Sequence, residues 1–176
     1  MSMPIDLPLS HWRVLVTRPS EQARPLLEAL QTVGARAISY PTIALEPPPS
    51  WTPFDSAVGR LDSYDWIIFT SPSASRFAFA RAPHLADSLQ LAGAPKVAAV
   101  GTETARRLAS YGVPVAVVPE NQRQEGLVTA LGHLTVGTRV LFPQALGGRE
   151  LLRDQLVLAG ASVDVVPVSQ TVALDL

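Results

Sequence analysis

The sequence contains no cysteine. Disulfides, thiolate nucleophiles and Cys-ligated zinc or iron–sulfur clusters are thereby excluded, and the composition suits a cytoplasmic protein. Histidine is scarce as well. His11, His84 and His133 stand alone, none with a second histidine three or four residues away, so no metal site is expected and each reads as a surface or helix-end residue. Lys96 is the single lysine among 14 basic residues; arginine favours bidentate contacts to carboxylate or phosphate but also follows genome composition. The 14 basic and 15 acidic side chains leave a net charge of −1, so no overall field points to nucleic acid or an anionic membrane. Met1 to Ser10 lacks both a basic region and a long apolar core, and no apolar run approaches membrane-spanning length. Neither export nor membrane insertion is expected.

What is present is enough apolar residue, 47% of 176, to build a core for one domain, or for one domain and part of another. The stretch from Asp65 to Ser75 sets the pattern. Trp66-Ile67-Ile68-Phe69 is apolar without alternation, as a strand covered on both faces requires, and it opens into Thr70-Ser71-Pro72-Ser73, where Ser71 or Ser73 can cap a helix running to Ala82. The same order recurs at Lys96 to Ala105, through Gly101-Thr102-Glu103-Thr104, and at Arg139 to Arg149, through Pro143-Gln144-Ala145. Three such units predict a parallel sheet whose strand ends share one rim.

Along the rest of the chain, Arg13 to Pro19 predicts a first strand, with Ser20 capping a helix from Glu21 to Val33 that Gly34 ends; Pro25 either marks the helix's real start or distorts it. Residues 37–45 form one extended run before Pro47-Pro48-Pro49. Helices are expected over 55–61, 73–82, 84–92, 102–111, 125–131 and 148–159, and further strands at Val115 to Val118 and Ser162 to Val168, with an extended tail. This alternation is α/β with parallel sheets flanked by helices and right-handed crossovers, in which ligands bind outside the carboxyl ends of the strands. Residues 50–168 hold enough elements for a domain. One strand and one helix at the start do not, so the first body is read as incomplete, with partners beyond Leu176 or in another molecule. It should expose apolar surface on the helix 21–33 and so favour self-association.

The motifs Val14-Leu15-Val16-Thr17-Arg18-Pro19, Phe69-Thr70-Ser71-Pro72, Val100-Gly101-Thr102-Glu103-Thr104-Ala105 and Leu141-Phe142-Pro143 before Arg149-Glu150-Leu151 resemble, in order and spacing, uroporphyrinogen-III synthases. That resemblance implies two α/β domains joined by a two-stranded linker, the first assembled from both ends of the chain. Residues 1–36 would begin an incomplete first domain, 37–49 would be the outgoing linker strand, 50–167 the second domain and 168–176 the return linker. A substantial C-terminal part of the family's length is absent here. The implied activity is cofactor-independent: hydroxymethylbilane, an octacarboxylate, loses water and closes to uroporphyrinogen III with inversion of its last ring. An azafulvene cation and a spiro intermediate lie on that path.

A substrate with so many carboxylates needs many donors in a wide cleft, and helix N-termini supply them. Candidate binding residues are Thr70, Ser71, Ser73, Gly101, Thr102, Thr104, Gln144 and Ala145 on the shared rim, with Thr17 and Arg18 from the first body facing them in the family arrangement. Each Ser or Thr also has the plainer role of a cap, worth about 1 kcal/mol to stability. Arg76, Arg106, Arg123 and Arg149 lie near the same loops, where a solvated face or an ion pair is the usual role. The family's favoured acid is a tyrosine on the return linker strand, and the resemblance puts Ser169 in its place. Either water mediates there, Thr171 substitutes, or acid catalysis is not needed. The implied partner is hydroxymethylbilane, with neither nucleic acid nor membrane, in a monomer if the first body is completed. A non-catalytic anion-binding module, or an inactive fragment, is the competing reading; dinucleotide and phosphate-loop motifs are missing.

Overall fold

A computed structural model describes residues 7–132, 134 and 136–175. The expectation for His133 therefore lies outside the described residues. The chain divides into two compact units, one running to Glu46 and resuming at Thr171, the other Pro47–Gln170. The second unit begins at the proline run 47–49.

In the smaller unit β1 (Arg13–Val16) leads through α1 (Ser20–Thr32) to β2 (Arg36–Ser39), which pairs parallel with β1, Leu15 opposite Ile38. The run expected over 37–45 is thus two strands: β2, and β3 (Ile43–Glu46), interrupted at Tyr40-Pro41-Thr42. Ser20 is the first residue of α1 and not its cap. Pro19 occupies the cap with extended backbone, its carbonyl accepting from the Gln22 and Ala23 amides at 2.8 and 3.1 Å. Pro25 stays inside the helix, at the cost of the bond its missing N–H would make to Glu21. The leucines of α1 are not exposed: Leu26, Leu27 and Leu30 are half-buried, while Leu15 and Ile38 on the sheet are exposed.

The larger unit runs α2 (Thr52–Val58), a 3-10 turn at Leu61–Ser63, β4 (Trp66–Phe69), α3 (Pro72–Arg81), α4 (Leu85–Ser88), β5 (Lys96–Ala99), α5 (Thr102–Ala109), α6 (Gln124–Ala130), β6 (Arg139–Ala145), α7 (Leu151–Leu158) and β7 (Ser162–Ala173), whose last three residues, from Thr171, are counted with the smaller unit. Within this unit the strand order is β7-β6-β4-β5, all parallel neighbours. All four residues of β4 are buried, as an unalternating central strand requires. Its two faces feed different layers. Trp66 and Ile68 join Val140, Phe142, Leu127, Leu131, Leu152 and Leu156 under α6 and α7. On the other face α3 packs against α5, with Phe79 between Phe69 and Tyr111 at ring distances of 5.9 and 4.6 Å.

Four further expectations are corrected. Val115 to Val118 is no strand; Val117 alone bridges Ala98, because only its carbonyl and the Ala116 amide reach β5. The helix over 84–92 shrinks to α4. The helix expected from Gly148 begins at Leu151, since Gly147 takes φ 70° in a turn before it. Gln144 and Ala145 belong to β6 and not to a helix start: β7 holds them extended, Gln144 opposite Pro167 and Ala145 opposite Ser169 across a register shift.

Candidate functional site

Parallel pairing brings the carboxyl ends of β5, β4, β6 and β7 to one edge of the larger unit's sheet. Thr70 and Ser71 follow β4, Gly101 and Thr102 follow β5, and Gln144 and Ala145 end β6 beside Ser169 of β7. The rim inferred from three recurring turns is thus a structural feature of this unit. Thr17 and Arg18 lie in the smaller unit, both exposed after β1; the Thr17 carbonyl accepts from the Thr42 amide at 3.3 Å. Thr171 belongs to that unit as well, and is exposed.

Each turn is built differently. Ser71 has extended backbone and its Oγ accepts from the Ala74 amide at 3.0 Å, so it caps α3; Pro72, in the first helical position, has no N–H to satisfy. Ser73 is half-buried in that first turn. At α5 the cap residue is Gly101, with no side chain to offer. The acceptor comes instead from Gln122, whose Oε1 takes hydrogen bonds from the Thr102 amide at 2.9 Å and the Thr102 hydroxyl at 3.1 Å. A Cβ on Gly101 would lie 2.7 Å from that oxygen, so glycine here makes room for the carboxamide. The Glu103 and Thr104 amides, in the first turn, have no acceptor within the helix. Thr104 itself faces inward at 2% exposure.

Gln122 is the residue that sequence reasoning missed. The polar loop 119–123 was visible, but nothing in a separation of twenty residues ties its glutamine to the start of α5.

At the end of β6, Gln144 folds its carboxamide toward Gly148, where a Cβ would lie 2.6 Å from Oε1. Gln144, Ala145, Gly148, Glu150, Val165 and Pro167 line a hollow of about 260 Å³. Ser169 is buried at 2% exposure, its carbonyl accepting from the Leu146 amide at 2.7 Å. Among nearby arginines, Arg106 pairs with Glu103, Arg76 lies 4.3 Å over the Phe77 ring, and Arg18, Arg123 and Arg149 are exposed.

A larger cavity of about 640 Å³ lies at the opposite, amino edge of the sheet, lined by Tyr64, Asp65, Trp66, Lys96 and Thr138 among others. Beside it Tyr64 donates to Asp164 at 2.6 Å and accepts from Arg60 at 3.1 Å. Burial, reinforced by the Asp164 carboxylate, pushes the Tyr64 hydroxyl above its ordinary pKa and keeps it a donor. This group ties the 3-10 turn to β7 and is a brace. The carboxyl rim has the first-turn amides of Glu103 and Thr104, which have no acceptor within their helix; the amino edge has the volume. The chemistry favours the rim, because oriented N–H groups at helix starts bind anions whereas strand amino ends carry none.

Among the described residues no group of three or more His, Asp or Glu side chains could hold a metal ion, and no helix is long and apolar enough to cross a membrane.

The family model described as uroporphyrinogen-III synthase HemD matches residues 24–175. The chain belongs to the uroporphyrinogen-III synthase family. Similar curated proteins include a uroporphyrinogen-III synthase of Synechococcus elongatus, 34% identical over 164 residues, and a putative one of Methanothermobacter thermautotrophicus, 33% identical over 149. These alignments cover 92% and 84% of this chain but only 61% and 58% of the relatives, so the chain spans about three fifths of their length. In fold it is similar to a mutant uroporphyrinogen III synthase of Thermus thermophilus, with TM-score 0.65 and 19% identity, over 93% of this chain and 64% of that one. The Helicobacter pylori enzyme gives 0.54 at 18% identity, over 80% and 58%. At those identities the structures speak for the α/β fold alone. Members of this uroporphyrinogen-III synthase family and this chain thus share parallel sheets flanked by helices.

Proposed function

We propose that this chain binds hydroxymethylbilane and directs its closure to uroporphyrinogen III with inversion of the last ring, as part of tetrapyrrole biosynthesis and without a cofactor. The observation that supports the proposal is the rim: in a chain of this family, adjacent parallel strands bring Ser71, Thr102, Gln144 and Ser169 to one sheet edge, beside the Glu103 and Thr104 amides that have no acceptor within α5. Amides and hydroxyls of this kind grip carboxylates, each by roughly 0.3–1 kcal/mol when exposed, so several must act together. Thr17 and Arg18 are assigned to the substrate from the smaller unit, which is read as a first domain lacking part of its fold.

Little energy is required of such a site. The bilane also closes unaided to the uninverted isomer, and a hundredfold preference needs only about 2.7 kcal/mol of differential barrier. Holding the acidic side chains fixes which pyrrole carbon meets the azafulvene cation, and oriented donors stabilise the charge that moves during spiro closure and reopening. For loss of the hydroxyl, Ser169 and Thr171 remain the candidates. Ser169 is buried, so its part would be through a bound water or by positioning, while Thr171 is exposed.

The test is incubation with freshly prepared hydroxymethylbilane, oxidation and separation of the uroporphyrin isomers. Isomer III above a protein-free control is expected. Isomer I at the control rate would reject catalysis. Because the chain spans 61% of the Synechococcus relative, a binding-only module is the second reading, and saturable quenching of uroporphyrin without isomer III would select it.

A further inference from the structure

The Gln122 carboxamide has one end committed and the other open. A backbone amide only donates, so the end facing the Thr102 amide at 2.9 Å is Oε1, and the Thr102 hydroxyl, 3.1 Å from the same oxygen, spends its proton there too. The amino group, Nε2, is left with no hydrogen-bond partner among the described residues. Gln122 is exposed, and it stands where Thr102 follows β5, at the carboxyl edge of the sheet. Glycine fixes its place from both sides. A Cβ at Gly101 would lie 2.7 Å from Oε1 and 3.2 Å from the Gln122 Cβ, and one at Gly126 of α6 would lie 2.0 Å from the neighbouring Asn121 carbonyl oxygen. Side chain and loop backbone are thus seated against α5 and α6. A donor held in this way loses little freedom when it binds.

We propose that Gln122 Nε2 is a specificity-determining contact, donating to a carboxylate of the bound substrate beside the Glu103 and Thr104 amides. This rests on the function proposed for the rim and names the donors that serve it at α5. Thr102, its amide and its hydroxyl proton both taken, is a positioning residue: it fixes which way the carboxamide points. Glutamine suits the task because one planar group satisfies the helix start with its oxygen and offers its N–H groups to an anion. Glutamate in its place would do the first and oppose the second.

Two substitutions separate the contact from the cap. Gln122→Glu keeps an acceptor for Thr102 at the end of the helix dipole that favours a carboxylate, so its thermal transition should match the wild type. It exchanges the donor for a negative oxygen, and quenching titrations with uroporphyrin III, also an octacarboxylate, should show binding about tenfold weaker or more. That ratio to wild type should shrink as sodium chloride is raised from about 0.05 to 0.5 M, since repulsion between exposed charges is screened. Gln122→Lys removes the acceptor and supplies a cationic donor: the transition should fall, while binding stays within about threefold of wild type. With hydroxymethylbilane, Gln122→Glu should raise KM more than it lowers kcat. A glutamine that served only as a cap predicts the reverse order, glutamate harmless to binding and lysine harmful; that order, or equal loss in both, overturns the proposal. Wild-type protein that neither makes isomer III nor quenches uroporphyrin overturns the reading of the rim and this contact with it. Wild-type binding that Gln122→Glu leaves unchanged overturns the contact alone.

Discussion

Gln122 and Gly101 act as one device although twenty-one residues separate them. The carboxamide oxygen accepts both the amide and the hydroxyl of Thr102, and it can do so because Gly101 leaves its approach open. Gln122→Ala should therefore cost about 0.5–2 kcal/mol, the scale of a lost helix cap. Gly101→Ala should cost a similar amount, since the new methyl displaces a flexible side chain and not backbone. The double variant should cost little more than either single one, because the same contact cannot be lost twice. Urea unfolding of the four proteins measures the cycle; full additivity would show that Gly101 serves α5 in some other way. Ser71 is the contrasting case. Its cap is local, three residues from the amide it binds, and so it was readable from the sequence, whereas the cap of α5 required knowing which loop folds over which helix.

At the scale of elements, what was legible had local causes. An unbroken apolar run gave β4, and glycines at Gly34, Gly112 and Gly160, all with positive φ, mark the ends of α1, α5 and α7 as read. What was not legible depended on neighbours. Val115 to Val118 has the composition of a strand, but strand propensity expresses pairing and packing more than backbone preference, and only Val117 finds a partner. Pro143 lies inside β6, just before the residues expected at a strand-to-helix turn. It is tolerated within β6 because pairing to β4 stops at Leu141, leaving β7 as the partner there, and so Gln144 and Ala145 remain extended. Gly126 offers a test of such tertiary control. Within α6 alanine should be favoured over glycine by roughly 1 kcal/mol. A Cβ at Gly126, however, would lie 2.0 Å from the Asn121 carbonyl oxygen, which is backbone and cannot swing aside. Gly126→Ala is expected to destabilise by about 1–3 kcal/mol, the usual cost of overpacking, with the loop 119–123 shifted. A rise in the unfolding midpoint would show that loop to be compliant.

Across the whole molecule the two units differ in the resources that make a fold stable by itself. Pro47–Gln170 contains a central strand buried on both faces and the largest fully buried side chains, Phe54, Phe69 and Phe142 among them. The smaller unit buries Val16, Ala23 and Ala35, and its β1–β2 sheet has two strands. Three strands, or a helix on a full hydrophobic face, are the usual minimum for a stable sheet. Stability should then be distributed unevenly, with local opening in the smaller unit far below the global unfolding energy. Native-state hydrogen exchange tests this directly. Amides that bond across β1 and β2, including Arg36 to the Trp12 carbonyl at 2.9 Å, should exchange at least about a hundredfold faster than those between β4 and its neighbours, such as Asp65 to the Arg139 carbonyl at 2.8 Å. That ratio corresponds to roughly 2.7 kcal/mol. Equal protection would mean that the smaller unit opens only when the whole chain unfolds, and the covering of one sheet face by α1 would then be sufficient to hold it.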